Sequence, residues 1–257
     1  MTTGVFRADR HQRLAEIEQE HFWFIGRRRL VGRLARRFGA IDRGVLVDVG
    51  CGTGMTLGAV AGPDTLAIGL DLQPGGLARP VEGPRRMLLV RGDALSLPVA
   101  DAVADVVLAL DVLEHVDDRV TLSEIHRILR PGGVLVATVP SFPSLWSYRD
   151  EDAGHLRRYT SASFRRALGD SGLEVTRVTY YQFVLFPVVA LTRWLGRRWH
   201  RVRDAEDQPP PRLNNVLRRL ALVESAALAR GIAFPWGSSL VAVARRPGAE
   251  NPACSSC

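Results

Sequence analysis

The chain contains no lysine: all 34 of its basic residues are arginine. Against 27 acids these give a formal charge of +7 and an isoelectric point near 10.3. So complete a replacement points to the base composition of the gene rather than to chemistry. It weakens any argument from arginine richness to nucleic-acid binding. Long apolar runs are also missing. The longest, Phe183 to Leu191, is broken by Pro187 and falls far short of the ~20 residues a helical span needs. The first 20 residues contain acids and no apolar core, so no secretory signal is expected. Three cysteines are too few for a disulfide framework. Cys254 and Cys257 form one C-x-x-C pair without a second, short of the about four ligands of a structural metal site. The expectations are a reducing, cytoplasmic compartment, no metal, and a disordered tail over 248–257.

What is present is an ordered series of short apolar strands ending in acids. Val45-Leu-Val-Asp-Val-Gly-Cys-Gly-Thr-Gly54 reads as a buried parallel strand entering a tight turn. Glycines at 50, 52 and 54 leave no Cβ atoms, so a ligand can lie against the backbone, with Asp48 at its lip. Leu66 to Asp71 is a second such strand, and its acid lies 23 residues past Asp48, the length of one strand–helix–strand unit. A carboxylate there can accept the two hydroxyls of a ribose. Met87 to Ala94 ends in Gly92-Asp93-Ala94, where the acid can accept an adenine amino group. A fourth strand, Ala104 to Asp111, leads into Val112-Leu-Glu-His-Val116 and a helix closed by Leu129-Arg-Pro-Gly-Gly133; the fifth is Val134 to Val139.

In this order the motifs resemble the class I S-adenosylmethionine-dependent methyltransferases, in particular the type 11 group similar to ubiquinone and menaquinone biosynthesis enzymes. The resemblance covers roughly 45 to 140. It implies a Rossmann-like α/β fold: a seven-stranded sheet, mostly parallel with one antiparallel strand, and helices on both faces. It also implies S-adenosyl-L-methionine as cofactor. Asp48, Gly50, Cys51, Gly52 and Gly54 would face its methionine part, Asp71 and Leu72 the ribose, Asp93 and Ala94 the adenine. Asp111 and Leu113 would sit beside the transferring methyl. A nicotinamide dinucleotide is the competing ligand. Its turn wants G-x-G-x-x-G, whereas here the third glycine comes one place early and Met55 stands where Gly or Ala is wanted.

The rest of the chain divides around that core of 40–181. Residues 10–38 read as an N-terminal helical segment; Trp23 or one of Arg27 to Arg29 could reach the donor carboxylate, or the aromatics could simply pack. The stretch from Pro140 to Thr160 leaves a strand's carboxyl end and is rich in aromatic and titratable groups, which makes it the substrate-side loop. Residues 182–237 form a helical cap insertion before the last strand within 238–247. Its two amphipathic helices suit a lid, a docked pair or, through the basic face of 184–203, peripheral contact with an anionic membrane.

Methyl transfer from a sulfonium is an in-line displacement with a good leaving group, so placement and dehydration can supply ~7–11 kcal/mol of the barrier. A hydroxyl acceptor must also lose a proton. His155 is the first candidate base, oriented by an acid near Asp152, with His115 second and Tyr159 beside them. Trp146, Arg157 and Arg158 are candidate substrate contacts, the arginines as a clamp for carboxylate or phosphate. The expected acceptor is a small or lipid-linked metabolite, methylated on oxygen or carbon. Nucleic acid is not expected, because Asp111-Val-Leu-Glu114 replaces the Asn/Asp-Pro-Pro-aromatic motif of amino-methylating nucleic-acid enzymes. An RNA methyltransferase and a non-catalytic scaffold of the same fold remain the alternatives.

Overall fold

The computed structural model describes residues 17–39, 41–72, 84–196 and 209–248. Among them, seven strands form one sheet: β1 (Arg43–Val49), β2 (Asp64–Asp71), β3 (Arg86–Arg91), β4 (Ala104–Leu110), β5 (Leu129–Pro140), β6 (Glu174–Tyr181) and β7 (Ser239–Arg245). The spatial order is β3-β2-β1-β4-β5-β7-β6. β7 runs antiparallel to both its neighbours, while the other pairings are parallel. This is the expected Rossmann-like α/β sheet. Its strand order reverses between β1 and β4, and ligands of open sheets bind outside the carboxyl ends at such a switch point.

Helices cover both faces: α1 (Phe22–Phe38), α2 (Met55–Val60), α3 (Asp118–Ile128), α4 (Tyr148–Ala153), α5 (Ser161–Asp170), α6 (Phe186–Gly196) and α7 (Pro211–Ala229). On one face Leu122, Ile125 and Ile128 of α3 join Phe164 and Leu168 of α5 over the sheet. On the other, Leu30, Val31 and Leu34 of α1 join Leu57 of α2 and Leu228 of α7. β4 lies between the two layers with all its residues buried, which is why its sequence is a continuous apolar run rather than an alternating one. The single acid in that run, Asp105, is satisfied by the Val45 N–H at 2.7 Å and by Arg130 at 2.7 Å.

Two expectations change and one choice between alternatives is decided. The N-terminal helical segment is interrupted: Ile17 is helical, 18–20 form a turn, and α1 starts at Phe22, where the His21 ring caps it by accepting from the Trp23 N–H; residues 10–16 lie outside those described. The fifth strand starts earlier than Val134: Leu129 closes α3 as expected, its N–H donating to the Ile125 carbonyl, and also opens β5. There Gly132, at φ +79°, donates to the Arg246 carbonyl and Arg246 donates back to Gly133, so the glycines tie β5 to the end of β7. For the second insertion helix the docked alternative holds: α7 lies along α1 as part of the core layer. Gly26 permits that approach, because a Cβ there would sit 2.8 Å from the Ala221 Cβ. Ser225 Oγ donates to the Gly26 carbonyl at 3.0 Å, and Asn214 accepts from the Phe22 N–H at 3.0 Å. The arginines from Arg197 to Arg201, and Cys254 with Cys257, lie outside the described residues.

Gly26→Val should therefore lower stability by ~1–3 kcal/mol, the usual cost of overfilling a packed contact, read from denaturant melts. An unchanged midpoint would mean that α7 is not held against α1.

Candidate active site

β1 delivers its turn to the switch point. Gly50, Gly52 and Gly54 have φ of +71°, +55° and +77°, a left-handed run that other residues adopt at a cost. At Gly50 a side chain would strike Val112, with the Cβ 2.4 Å from its Cγ2. At Gly52 the Cβ would meet nothing within 4 Å, so this backbone borders open space. The turn is pinned to the neighbouring strand: the Gly50 and Cys51 N–H groups both donate to the Leu70 carbonyl, and the Gly52 N–H donates to Asp71 Oδ2 at 2.9 Å. Asp71 is thereby fixed at the tip of β2, beside exposed Leu72. Asp93 lies at the third tip, exposed, with Oδ1 accepting from the Leu95 N–H at 2.9 Å; Ala94 beside it is half-buried.

Asp48 is the outlier of the set. It is 2% exposed, and its Oδ1 has no hydrogen-bond partner among the described residues. Burial pushes its carboxyl up to about 8; Arg27 opposes that rise, while Asp71 and Glu18 add to it. A buried carboxylate in this state is incomplete, and a cationic ligand would complete it. Arg27 reaches into the same region from α1. Its side chain is 11% exposed, it forms an ion pair with Asp111, and its guanidinium lies 4.3 Å from the centre of the Trp23 ring. Of the residues offered for a donor-facing role, Trp23 and Arg27 thus act together, with Asp111 as their anchor. Asp111 itself stands at φ +56° just past β4, a strained position for a residue with a side chain.

Beyond Asp111, Leu113 and Glu114 are buried and His115 is half-buried. The substrate-side loop folds back onto this element. It leaves β5 at Ser141 and returns at Tyr159, where the Phe142 N–H donates to the Tyr159 carbonyl and the Tyr159 N–H to the Pro140 carbonyl. Leu156 donates to the Glu114 carbonyl at 2.7 Å, which brings the two histidines together. The His115 and His155 rings meet edge to face, 4.7 Å between centres.

The acid that orients His155 is Asp150, not Asp152. His155 Nδ1 lies 2.8 Å from Asp150 Oδ1, so the ring presents Nε2 outward. Asp150 is fully buried, which alone would raise its pKa. Hydrogen bonds from His155 and Arg158, the Arg158 charge and the Ser147 N–H hold it instead well below the usual carboxylate range. The signal for Asp150 was present in the sequence: Ser147-x-x-Asp150 is a capping box opening α4.

Other expected contacts have different tasks. Arg158, offered as half of a substrate clamp, is buried, with Nε on Asp150 at 2.6 Å and a guanidinium nitrogen on the Ser141 carbonyl at 2.9 Å. Arg157 pairs with Asp118 at 2.6 Å and is a third exposed. Tyr159 is buried too, its hydroxyl donating to Asp118 at 2.7 Å, and burial pushes that phenol far up, where it has no proton to exchange near neutrality. Trp146 is half-buried, with its indole N–H 3.5 Å from Glu151. Cys51 is a free, buried thiol packed toward Gly69.

The sheet order, the reversed β7 and the glycine turn between acid-tipped strands define the class I methyltransferase fold. Residues 47–137 match the family model described as a methyltransferase domain, type 11. A probable S-adenosylmethionine-dependent methyltransferase of Mycolicibacterium smegmatis is 31% identical over 162 residues, 62% of this chain and 62% of that protein. Malonyl-[acyl-carrier protein] O-methyltransferase of Dechloromonas aromatica is 39% identical over 110 residues, 42% of this chain and 41% of that one. The chain thus spans less than two thirds of the length of these curated relatives. Among solved structures, a chain of the Haloferax volcanii complex between the Trm112 methyltransferase activator and a methyltransferase superposes with a TM-score of 0.62. It is 22% identical, with 93% of this chain and 95% of that chain covered, a likeness of fold. Residues 47–137 thus match a type 11 methyltransferase domain, and the cofactor such a domain takes is S-adenosylmethionine. The residues fit it: an orphaned buried carboxylate oxygen at Asp48 suits a cationic methionine moiety, and open backbone at Gly52 suits close approach.

Asp48 should leave a mark on stability. Its folded pKa of about 8 lies above the unfolded value, so the protonated form favours the fold and that contribution is lost as pH rises from ~4 to ~8. Asp48→Asn should gain on the wild type progressively across that window in thermal melts, then hold a constant lead above it. A lead that does not change with pH would mean Asp48 is already ionised.

Proposed function

We propose that the protein is an enzyme that transfers the methyl group of S-adenosylmethionine to an oxygen or carbon of a small or lipid-linked metabolite. The observation that carries this is the set Asp48, Asp71 and Asp93 on the carboxyl ends of β1, β2 and β3, with Asp48 lacking a partner for Oδ1. Bound donor supplies the sulfonium methyl. Asp48 balances the charge of the methionine part, Asp71 holds the ribose, Asp93 the adenine, and the Gly50–Gly54 turn lets the backbone close on the ligand. Arg27, anchored by Asp111 and covered by Trp23, shields this region from water.

The acceptor enters across His115 and His155. With Nδ1 held by Asp150, His155 offers Nε2 to the proton of a hydroxyl acceptor. Two features support an apolar character for part of the acceptor. A recess between α1, the end of β6 and α7 is lined by Trp23, Leu185 and Leu220 and reaches Arg27. Next to it, Val184, Val188, Leu191 and Val216 are exposed. Such a surface suits a lipid-linked acceptor met at a membrane face, and no helix among the described residues is long and apolar enough to cross a membrane. The same reading accommodates an acyl-carrier or quinone-like acceptor.

Calorimetry with S-adenosylhomocysteine tests the donor half. Micromolar or tighter binding is expected; none at millimolar ligand would leave a scaffold. Asp71→Ala should weaken that binding by ~1.5–3 kcal/mol, the scale of hydrogen bonds to a charged group. His155→Ala should cut kcat while donor affinity stays put. Labelled donor incubated with a fractionated host extract identifies the acceptor: chloroform-soluble label supports the lipid reading, and label confined to RNA overturns the small-molecule one.

A further inference from the structure

The pairing of His115 with His155 includes a third group. One nitrogen of each ring and a carboxylate oxygen of Glu114 lie within 4.8 Å of one another. Glu114 is 1% exposed, and its Oε2 has no hydrogen-bond partner among the described residues. A buried carboxylate oxygen without a donor is costly, and a cation is one of the few ligands that offsets the cost. His155 adds independent support. Its Nδ1 is committed to Asp150, itself locked by Arg158 and by the Ser147 N–H at 2.8 Å. A histidine that binds a metal characteristically gives its other ring nitrogen to such a carboxylate, which sets the tautomer and aims the lone pair. Both imidazoles are partly exposed, so an entry path exists, while Glu114 closes the floor.

We propose that Glu114, His115 and His155 form a site for one divalent transition cation of the zinc class, with an open position facing the methyl acceptor. Two imidazoles and one carboxylate are borderline donors that suit zinc, cobalt or iron better than magnesium or calcium. Ligand atoms around such an ion stand about 3–4 Å apart, so the three groups close by small side-chain rotations. Nothing in the amino-acid sequence announced this centre, because its third ligand lies 40 residues beyond His115 and is brought to it by contacts such as the Leu156–Glu114 hydrogen bond and the Arg157–Asp118 ion pair.

The site deepens the methyltransferase reading and rests on it for its purpose. With the cation bound, an acceptor hydroxyl takes the open position and its proton passes to water. The oxygen lone pair then forms the bond to the methyl carbon, the carbon–sulfur bond breaks, and its electron pair stays on sulfur to leave a neutral thioether. His155 Nε2 cannot both take that proton and hold the cation, so the two roles exclude each other in any one molecule.

The test is a titration of chelator-treated full-length protein with Co2+ and Zn2+, followed by calorimetry and the visible absorption of low-coordinate Co2+. Cys254→Ser/Cys257→Ser serves as reference, so that tail thiolates do not bind the probe. One ion per chain is expected. His115→Ala, His155→Ala and Glu114→Gln should each lose at least tenfold in affinity. Asp150→Asn, acting through His155, should lose about tenfold. No Co2+ binding up to millimolar concentration overturns the proposal, as does equal binding by the His115 and His155 variants. S-adenosylhomocysteine binding is measured on the same samples: retained nucleoside binding with no metal sinks the centre alone, and loss of both sinks the methyltransferase reading as well. Chelator-insensitive turnover would return His155 to the role of base.

Discussion

The protein is organised around an acid placed where water is scarce. Asp48 stands at the end of a strand buried from both faces, beside Asp71 and within reach of Glu18, with Arg27 alone among the described residues to offset it. Such an arrangement is unfavourable in isolation, and it persists because the surrounding sheet gives it no alternative: the strand register of β1 against β2 and β4 sets its position. The rest of the site reads as a response to that constraint. The turn after Asp48 uses three left-handed glycines so that backbone, not side chain, faces the cleft. Arg27 is drawn in from α1, yet it is paired with Asp111 and does not satisfy Asp48 Oδ1.

Strain collects on the same edge of the sheet. Asp111, Phe142 and Gln182 carry φ of +56°, +54° and +61° just beyond β4, β5 and β6. Each such residue costs of order 1–3 kcal/mol, and such outliers cluster where function needs a particular geometry. Their neighbours show what holds them. Asp111 is fixed through its N–H on the Thr138 carbonyl, and Phe142 by its N–H on Tyr159 and by stacking on Tyr180 at 5.1 Å. The loops that carry His115 and His155 therefore leave the sheet at fixed angles.

Much of this was legible in the residues themselves. The continuous apolar run of β4 and the acid-then-glycine end of β1 named their own burial, because a strand covered on both faces has no use for alternation. The reversed last strand followed from the resemblance. Less legible were the elements whose conformation depends on partners. Leu129-Arg-Pro-Gly-Gly133 stops the helix as its composition says, and pairing with Arg246 also makes it the first part of a strand. The break before α1 depends on one ring nitrogen of His21 capping Trp23. Arg158 was offered as a surface clamp because charge is usually solvated; it is buried since Asp150 and the Ser141 carbonyl await it.

The order of motifs along the chain carried the resemblance that implied the fold class and the cofactor, while short-range spacing and burial periodicity placed acids at the strand tips. Tertiary structure alone decided which groups meet. Asp150 behind His155, Arg27 on Asp111, and Glu114 between two imidazoles all join segments far apart in sequence. Their contact depends on loop closure and strand register, and neither is written in the local preferences of the residues concerned.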